Sequence, residues 1–111
     1  VKLEATEIKL GEKSKHGHQL RPHVVWFGEA VPKMYEAEQL MQDADIFIVV
    51  GTSLNVYPAA NLIYNCKKGC EKFIVDLNDL SNVKFKNLQH YKGPASQQVP
   101  LLVDELIKKM K

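Results

Sequence analysis

The chain has 111 residues, 45% of them hydrophobic and 25% charged, which is enough for one globular domain with a real core and too little for two. Its net charge of +2 is small and its lysines are evenly spread, which argues against nucleic-acid or membrane-surface partners. No apolar run approaches the length of a membrane span and residues 1–7 lack a signal peptide's apolar core, so no membrane association and a cytoplasmic location are expected.

Residues 1–23 are polar and irregular. The brief alternation Glu7-Ile8-Lys9-Leu10 before Gly11 predicts a loop with one edge strand. His16, His18 and His23 fall here, and three neighbouring histidines raise a metal or catalytic reading. No cysteine or carboxylate stands at ligand spacing from them, so they are read as surface side chains. Val24 to Phe27 form a short apolar run closed by Gly28-Glu29, and Pro32 suits the first turn of a helix. Met34, Ala37, Met41 and Ala44 recur at helical spacing with Leu40 beside them, predicting an amphipathic helix over 32–43 whose methionines belong to the core.

The chain is organised around residues 45–61. Five apolar residues, Ile46 to Val50, stop at Gly51, and Thr52, Ser53 and a short loop lead to Pro58-Ala59 and a helical pattern over about 58–68. In an open α/β sheet, ligands bind beyond the carboxyl ends of the strands. There, backbone N–H groups and two hydroxyls can meet a phosphate or a ribose. The same strand, turn and helix occur in many proteins that bind nothing there, so this stretch alone carries a structural reading.

Lys67-Lys68 in the last turn and Gly69 as a stop end that helix. Cys66 and Cys70 match no zinc knuckle and read as free thiols of a reducing compartment. Lys72 to Leu77 is a second apolar strand, and strand, helix, strand implies a right-handed crossover and a parallel sheet, with Asn78 at a second carboxyl end beside Gly51. A polar loop over 79–85 and a short strand from Leu88 to Tyr91 follow. Gly93-Pro94-Ala95 turns the chain, and Ser96 is read as the cap of a last helix. Val99, Leu102, Val103, Leu106 and Met110 share one face of it, and Pro100 falls in its first turn.

Four segments carry a more specific signal: Leu20 to Glu29 (LRPHVVWFGE), Gly51 to Ala60 (GTSLNVYPAA), Ile74 to Asn78 (IVDLN) and Lys92 to Ser96 (KGPAS). In order and spacing they resemble the sirtuins, and among those the bacterial NAD-dependent protein deacylases. The resemblance runs from about residue 20 to the end and covers what looks like the later half of a sirtuin catalytic domain. It implies an α/β fold in which part of a Rossmann-like parallel sheet is flanked by helices. Residues 1–23 would be a polar remnant of the small zinc-module region and 24–111 the carboxy-terminal part of the NAD-binding domain.

By the same resemblance, Val25, Phe27, Gly28 and Glu29 would receive an acyl-lysine peptide, with Asn55, Val56 and Tyr57 as the opposite wall. Strand addition would supply sequence-tolerant affinity there, and a narrow apolar tunnel would select the modified lysine. Gly51, Thr52 and Ser53 would meet the phosphates and ribose of NAD, Asn78 the adenine ribose hydroxyls, and Pro94 and Ala95 the adenine. An amide suits vicinal hydroxyls because it both donates and accepts.

The departures are equally specific. The family's glycine-rich loop, its Gln-Asn-x-Asp segment and its catalytic His-Gly find no counterpart in these residues, so no catalytic residue is assigned. His16-Gly17 imitates the dipeptide but lies too close to Leu20-Arg21-Pro22. Lys13 and His16 stand where the zinc module's Cys-x-x-Cys-Gly is expected, which makes this either a zinc-free variant or a reduced module, and no metal ligand is assigned. The resemblance therefore implies part of an enzyme, a transferase or hydrolase that moves the acyl group from lysine onto ADP-ribose with release of nicotinamide. The alternative is a non-catalytic nucleotide-binding or interaction module derived from the same fold. Half of such a sheet is expected to leave an apolar edge through which the isolated chain self-associates.

Overall fold

The computed structural model of the chain describes residues 7–80 and 83–111; residues 1–6 of the polar opening and residues 81–82 of the loop read over 79–85 lie outside the described residues. The chain forms two compact units, residues 1–31 and 32–111.

In the first unit the described residues turn twice and form a hairpin. Ser14 N–H donates to the His18 carbonyl at 2.8 Å and Leu20 N–H to the Glu12 carbonyl at 2.8 Å, around the Lys13–Gln19 antiparallel bridge. Gly17 takes φ +83°, which the tight return requires. The edge strand expected over 7–10 does not form. Four alternating residues find no partner strand, Leu10 is 99% exposed, and Lys9 to Glu12 close a turn instead.

The second unit begins with helix α1 (Met34–Asp43) and strand β1 (Ile46–Val50), followed by a 3₁₀ segment (Ala59–Asn65) and strand β2 (Glu71–Asp76). Strand β3 (Leu88–Lys92) and helix α2 (Ala95–Met110) complete it. The three strands are parallel in the order β1-β2-β3. Thus β2 is the central strand of this sheet, and it is the more deeply buried. On β1, Ile48 and Val50 remain 39% and 44% exposed, so this strand is not covered on both faces as its composition suggests. Phe73 and Val75 of β2 pack with Leu102 of α2, and Ile46, Tyr91, Val99 and Leu106 close round them. On the other face of the sheet Val49 and Ile74 are buried, as are Ala60 and Ile63.

Two ties hold α2 to the sheet: the Tyr91 hydroxyl donates to the Glu105 carboxylate, and Lys109 Nζ lies 2.6 Å from Glu71 Oε2. Val103 and Met110, expected on the inward face, are exposed. Pro94, extended at φ −61° and ψ 136°, is the N-cap in place of Ser96, and its carbonyl accepts the N–H groups of Gln97 and Gln98. Starting two residues early puts Pro100 in the second turn rather than the first, yet the helix continues through it.

The helix expected over 58–68 is the shorter 3₁₀ segment. Ala60 and Ile63, its two buried residues, are three apart, the spacing that a 3₁₀ helix places in one row, and Asn, Ile and Tyr lend little α propensity. Lys67 lies beyond its end and reaches back to α1, donating to the Asp43 carbonyl at 3.1 Å and pairing with Asp45 at 2.6 Å.

Candidate functional site

The parallel register brings three strand ends to one edge of the sheet. Val50 stands opposite Val75, and Asp76 opposite Lys92, so the turns that begin at Gly51, Leu77 and Gly93 leave from the same side. Gly51 continues the ladder, its N–H donating to the Val75 carbonyl at 2.9 Å, and it turns the chain with φ +69°. The next bonds are local. Thr52 Oγ1 accepts the N–H of Leu54 at 3.3 Å, and Ser53 Oγ accepts from Asn55 Nδ2 at 2.8 Å. A hydroxyl that accepts still carries a proton to donate, so this loop presents two O–H donors above the sheet.

At the end of β2, Asp76 Oδ1 accepts two bonds from Asn78, the backbone N–H at 2.8 Å and the amide Nδ2 at 2.9 Å. The Asp76 carbonyl accepts the N–H of Gly93 at 3.1 Å, tying this end to that of β3. Gly93 takes φ +150°, a conformation that L side chains rarely adopt, so glycine suits the turn that leads into α2. Pro94 and Ala95 follow on the exposed side. Gly51, Thr52, Ser53, Asn78, Pro94 and Ala95 are thus gathered at one end of the sheet.

A cavity of about 340 Å³ adjoins the first of these turns, lined by Ser53, Asn55, Tyr57, Tyr64, Lys84 and Phe85 among others. Tyr64 and Phe85 meet edge to face with ring centroids 4.9 Å apart. Neither aromatic was singled out from the sequence; the signal was Phe85, an aromatic in a loop that also carries Leu80 and Val83. The Val56 and Tyr57 side chains are exposed, and Leu54 takes φ +60°. A second, more apolar cavity of about 400 Å³ runs along β1 and is lined by Phe47, Ile48, Val50, Leu54 and Val56 among others.

In the first unit, Val25 and Phe27 lie on an exposed loop, not a strand, and Phe27 is 93% exposed. Glu29 N–H donates to the Trp26 carbonyl at 3.1 Å while the Glu29 carboxylate accepts the N–H of Trp26 at 3.2 Å. Gly28 supplies the positive φ, +87°, of this turn's third position.

Among the described residues no three His, Cys, Asp or Glu side chains converge as a metal site would need. His16, His18 and His23 are exposed, and Lys13 is engaged in the hairpin. This donor set does not fit a zinc ion. Cys66 and Cys70 are free thiols. Burial, and then the neighbouring Cys70, push the Cys66 thiol from its ordinary 9.0 up to about 11, with Lys72 opposing.

A family model described as "Sir2 family" matches residues 2–58, just over half the chain. The NAD-dependent protein deacylase of Bacteroides thetaiotaomicron is 41% identical over 107 residues, which span 96% of this chain and 46% of that protein. The enzyme of the same name from Escherichia coli (strain K12) is 47% identical over 94 residues, 83% of this chain and 33% of its own length. The chain therefore spans less than half the length of these curated relatives. Of solved structures, one described as "Structural Basis for the Mechanism and Regulation of Sir2 Enzymes" is 34% identical at a TM-score of 0.63, covering 87% of this chain and 40% of that one. Another, "Sir2 bound to acetylated peptide", is 29% identical at a TM-score of 0.61, covering 84% and 40%. With the family model over residues 2–58 and the parallel sheet shared with solved Sir2 structures, the chain belongs to the Sir2 family.

Proposed function

We propose that this chain supplies the adenosine half of the NAD site and one wall of the acyl-lysine site of an NAD-dependent protein deacylase. The observation that supports it most is the register, which sets the Gly51, Asn78 and Pro94 turns at one end of a parallel sheet, where open α/β sheets bind their ligands. In this reading Gly51, Thr52 and Ser53 face the phosphates and a ribose, Asn78 bonds the vicinal hydroxyls of the adenine ribose, and Pro94 and Ala95 lie against the adenine. The residue types fit, with N–H and O–H donors for anionic oxygens and an amide for a diol. NAD brings the electrophilic ribose carbon that becomes the acyl acceptor.

Val25, Phe27, Gly28 and Glu29, with Asn55, Val56 and Tyr57, are proposed to hold the acyl-lysine peptide. Strand addition gives sequence-tolerant affinity through backbone hydrogen bonds, and the exposed backbone and apolar side chains of this loop are what support it here. Relatives of the same family have been solved with acetylated and propionylated peptides. The place of action is proposed to be the bacterial cytoplasm, and the reaction class acyl transfer from lysine to ADP-ribose.

Nicotinamide release with NAD and an acetyl-lysine peptide tests this. The 111-residue chain is expected to show none above blank, because no histidine in it stands in a base's context. The product of the complete open reading frame is expected to turn over. Activity of the 111-residue chain that disappears on His16→Ala or His23→Ala would contradict this division of roles, and an inactive complete product would favour a non-catalytic module.

A further inference from the structure

We infer that Cys66 and Cys70 form a two-coordinate site for a soft monovalent metal ion, Cu(I), and that the buried amine of Lys72 balances its charge. The site lies at the amino end of β2, whereas the turns proposed for NAD leave from the carboxyl ends of the strands. It does not depend on that reading.

The course of the chain brings the two sulfurs together. Cys66 is the C-cap of the 3₁₀ segment, and Cys70 directly precedes β2. Between them the chain turns at Lys67, Lys68 and Gly69. Gly69 takes φ +98°, and the Cys70 N–H donates to the Lys67 carbonyl at 3.1 Å. The two thiols thereby come within hydrogen-bonding reach of one another, which is near the separation at which a two-coordinate ion bridges two sulfurs. Only weak bonds would be given up, from Cys66 Sγ to the Leu62 carbonyl at 3.7 Å and from Cys70 Sγ to the Glu71 carbonyl at 3.6 Å. Cys70 is fully buried and Cys66 half-buried, so one sulfur is sealed inside while the other faces the way in.

Lys72 is the group that packing alone does not explain. It is only 8% exposed and sits in the central strand between Phe47 of β1 and Leu88 of β3. Its Nζ donates to the Cys70 carbonyl at 3.2 Å, and it joins none of the ion pairs found among the described residues. A buried cation without a counter-ion is costly. Lys72 also stands close enough to Cys66 to favour its thiolate, so the sulfurs are where a matching negative charge can form. Cu(I) displaces the two thiol protons to solvent and forms two metal–sulfur bonds with no change of oxidation state. Two thiolates and one monovalent ion carry a single net negative charge, which the lysine cancels. A divalent ion would leave the centre positive. Zinc would also need further ligands, and no third His, Cys, Asp or Glu joins the pair among the described residues. Thiolates are the soft donors that select Cu(I).

Anaerobic titration of the full 111-residue chain against the Cu(I) complex of bicinchoninate, read by the chelator's absorbance, tests this. The chain has two cysteines, so losing either leaves no pair. The unaltered chain should withdraw a single equivalent of Cu(I), and Cys66→Ser and Cys70→Ser should each weaken it by about a hundredfold or more. Lys72→Met keeps the stem and removes the charge. It should weaken Cu(I) by about tenfold yet hold Hg(II), whose dithiolate is already neutral, within about threefold. X-ray absorption at the copper edge of the loaded, unaltered chain should show two sulfur neighbours. An unaltered chain that withdraws no Cu(I), or folded serine variants that bind it as tightly, would overturn the inference. If the serine variants do not fold, the absorption spectrum decides, and a shell of nitrogen or of three or more ligands would overturn it. A Lys72→Met protein that weakens both ions alike would overturn the part assigned to the lysine.

Discussion

Asn78 was legible as the residue that follows an apolar strand, and its proposed role comes from the family motif in which it stands. Asp76 was not. It sits inside the run read as the strand Lys72 to Leu77, and its bond to the residue two places on depends on how the chain turns after the strand, which periodicity does not report. The thiols give the converse case. Reading Cys66 and Cys70 as free agrees with the structure, and burial, which the sequence does not report, is what raises the Cys66 pKa. With the Cys66 pKa at about 11, iodoacetamide should alkylate it roughly a hundredfold more slowly at pH 8 than an ordinary thiol. Because the folded value is raised, the stability it reflects is fully present below pH 9.0 and declines as pH rises through about 11. Mass spectrometry after timed alkylation reads the rate, and rapid labelling of Cys66 in folded protein would contradict the assignment.

The elements were legible where periodicity is strong and long, as in α1, β1, β2 and α2. They were misjudged where a few residues had to carry the decision. The four-residue alternation at 7–10 lacked a partner strand, and the segment after Pro58 became a 3₁₀ turn because its two buried residues are three apart. The order of strands is also invisible to composition. Ile46 to Val50 reads as more apolar than β2, yet β2 holds the centre and β1 the edge. That edge carries no charge or proline from Ile46 to Val50, the usual guards against edge pairing. The isolated chain is therefore expected to self-associate, and Ile48→Lys, at a half-exposed site on β1, to return it towards monomer. Light scattering at matched concentrations checks both; a monodisperse 12.6 kDa particle for the unaltered chain would show that the edge is covered.

Across the whole molecule, function separates from packing in a simple way. Phe73, Val75 and Leu102 fasten α2 to the sheet, and this fixes the register that sets three turns side by side. Among its described residues, the first unit is held by hairpin bonds between Glu12 and Leu20, brings no three metal-ligating side chains together, and carries the exposed segment proposed for the acyl-lysine peptide. The central claim is that the carboxyl end of this sheet takes the adenosine half of NAD. Backbone amide shifts of the labelled chain during titration with ADP-ribose test it most directly. Saturable movement concentrated at Gly51, Thr52, Ser53, Asn78 and Ala95 is the predicted result. Saturable movement centred elsewhere, or none at millimolar ADP-ribose, would contradict it.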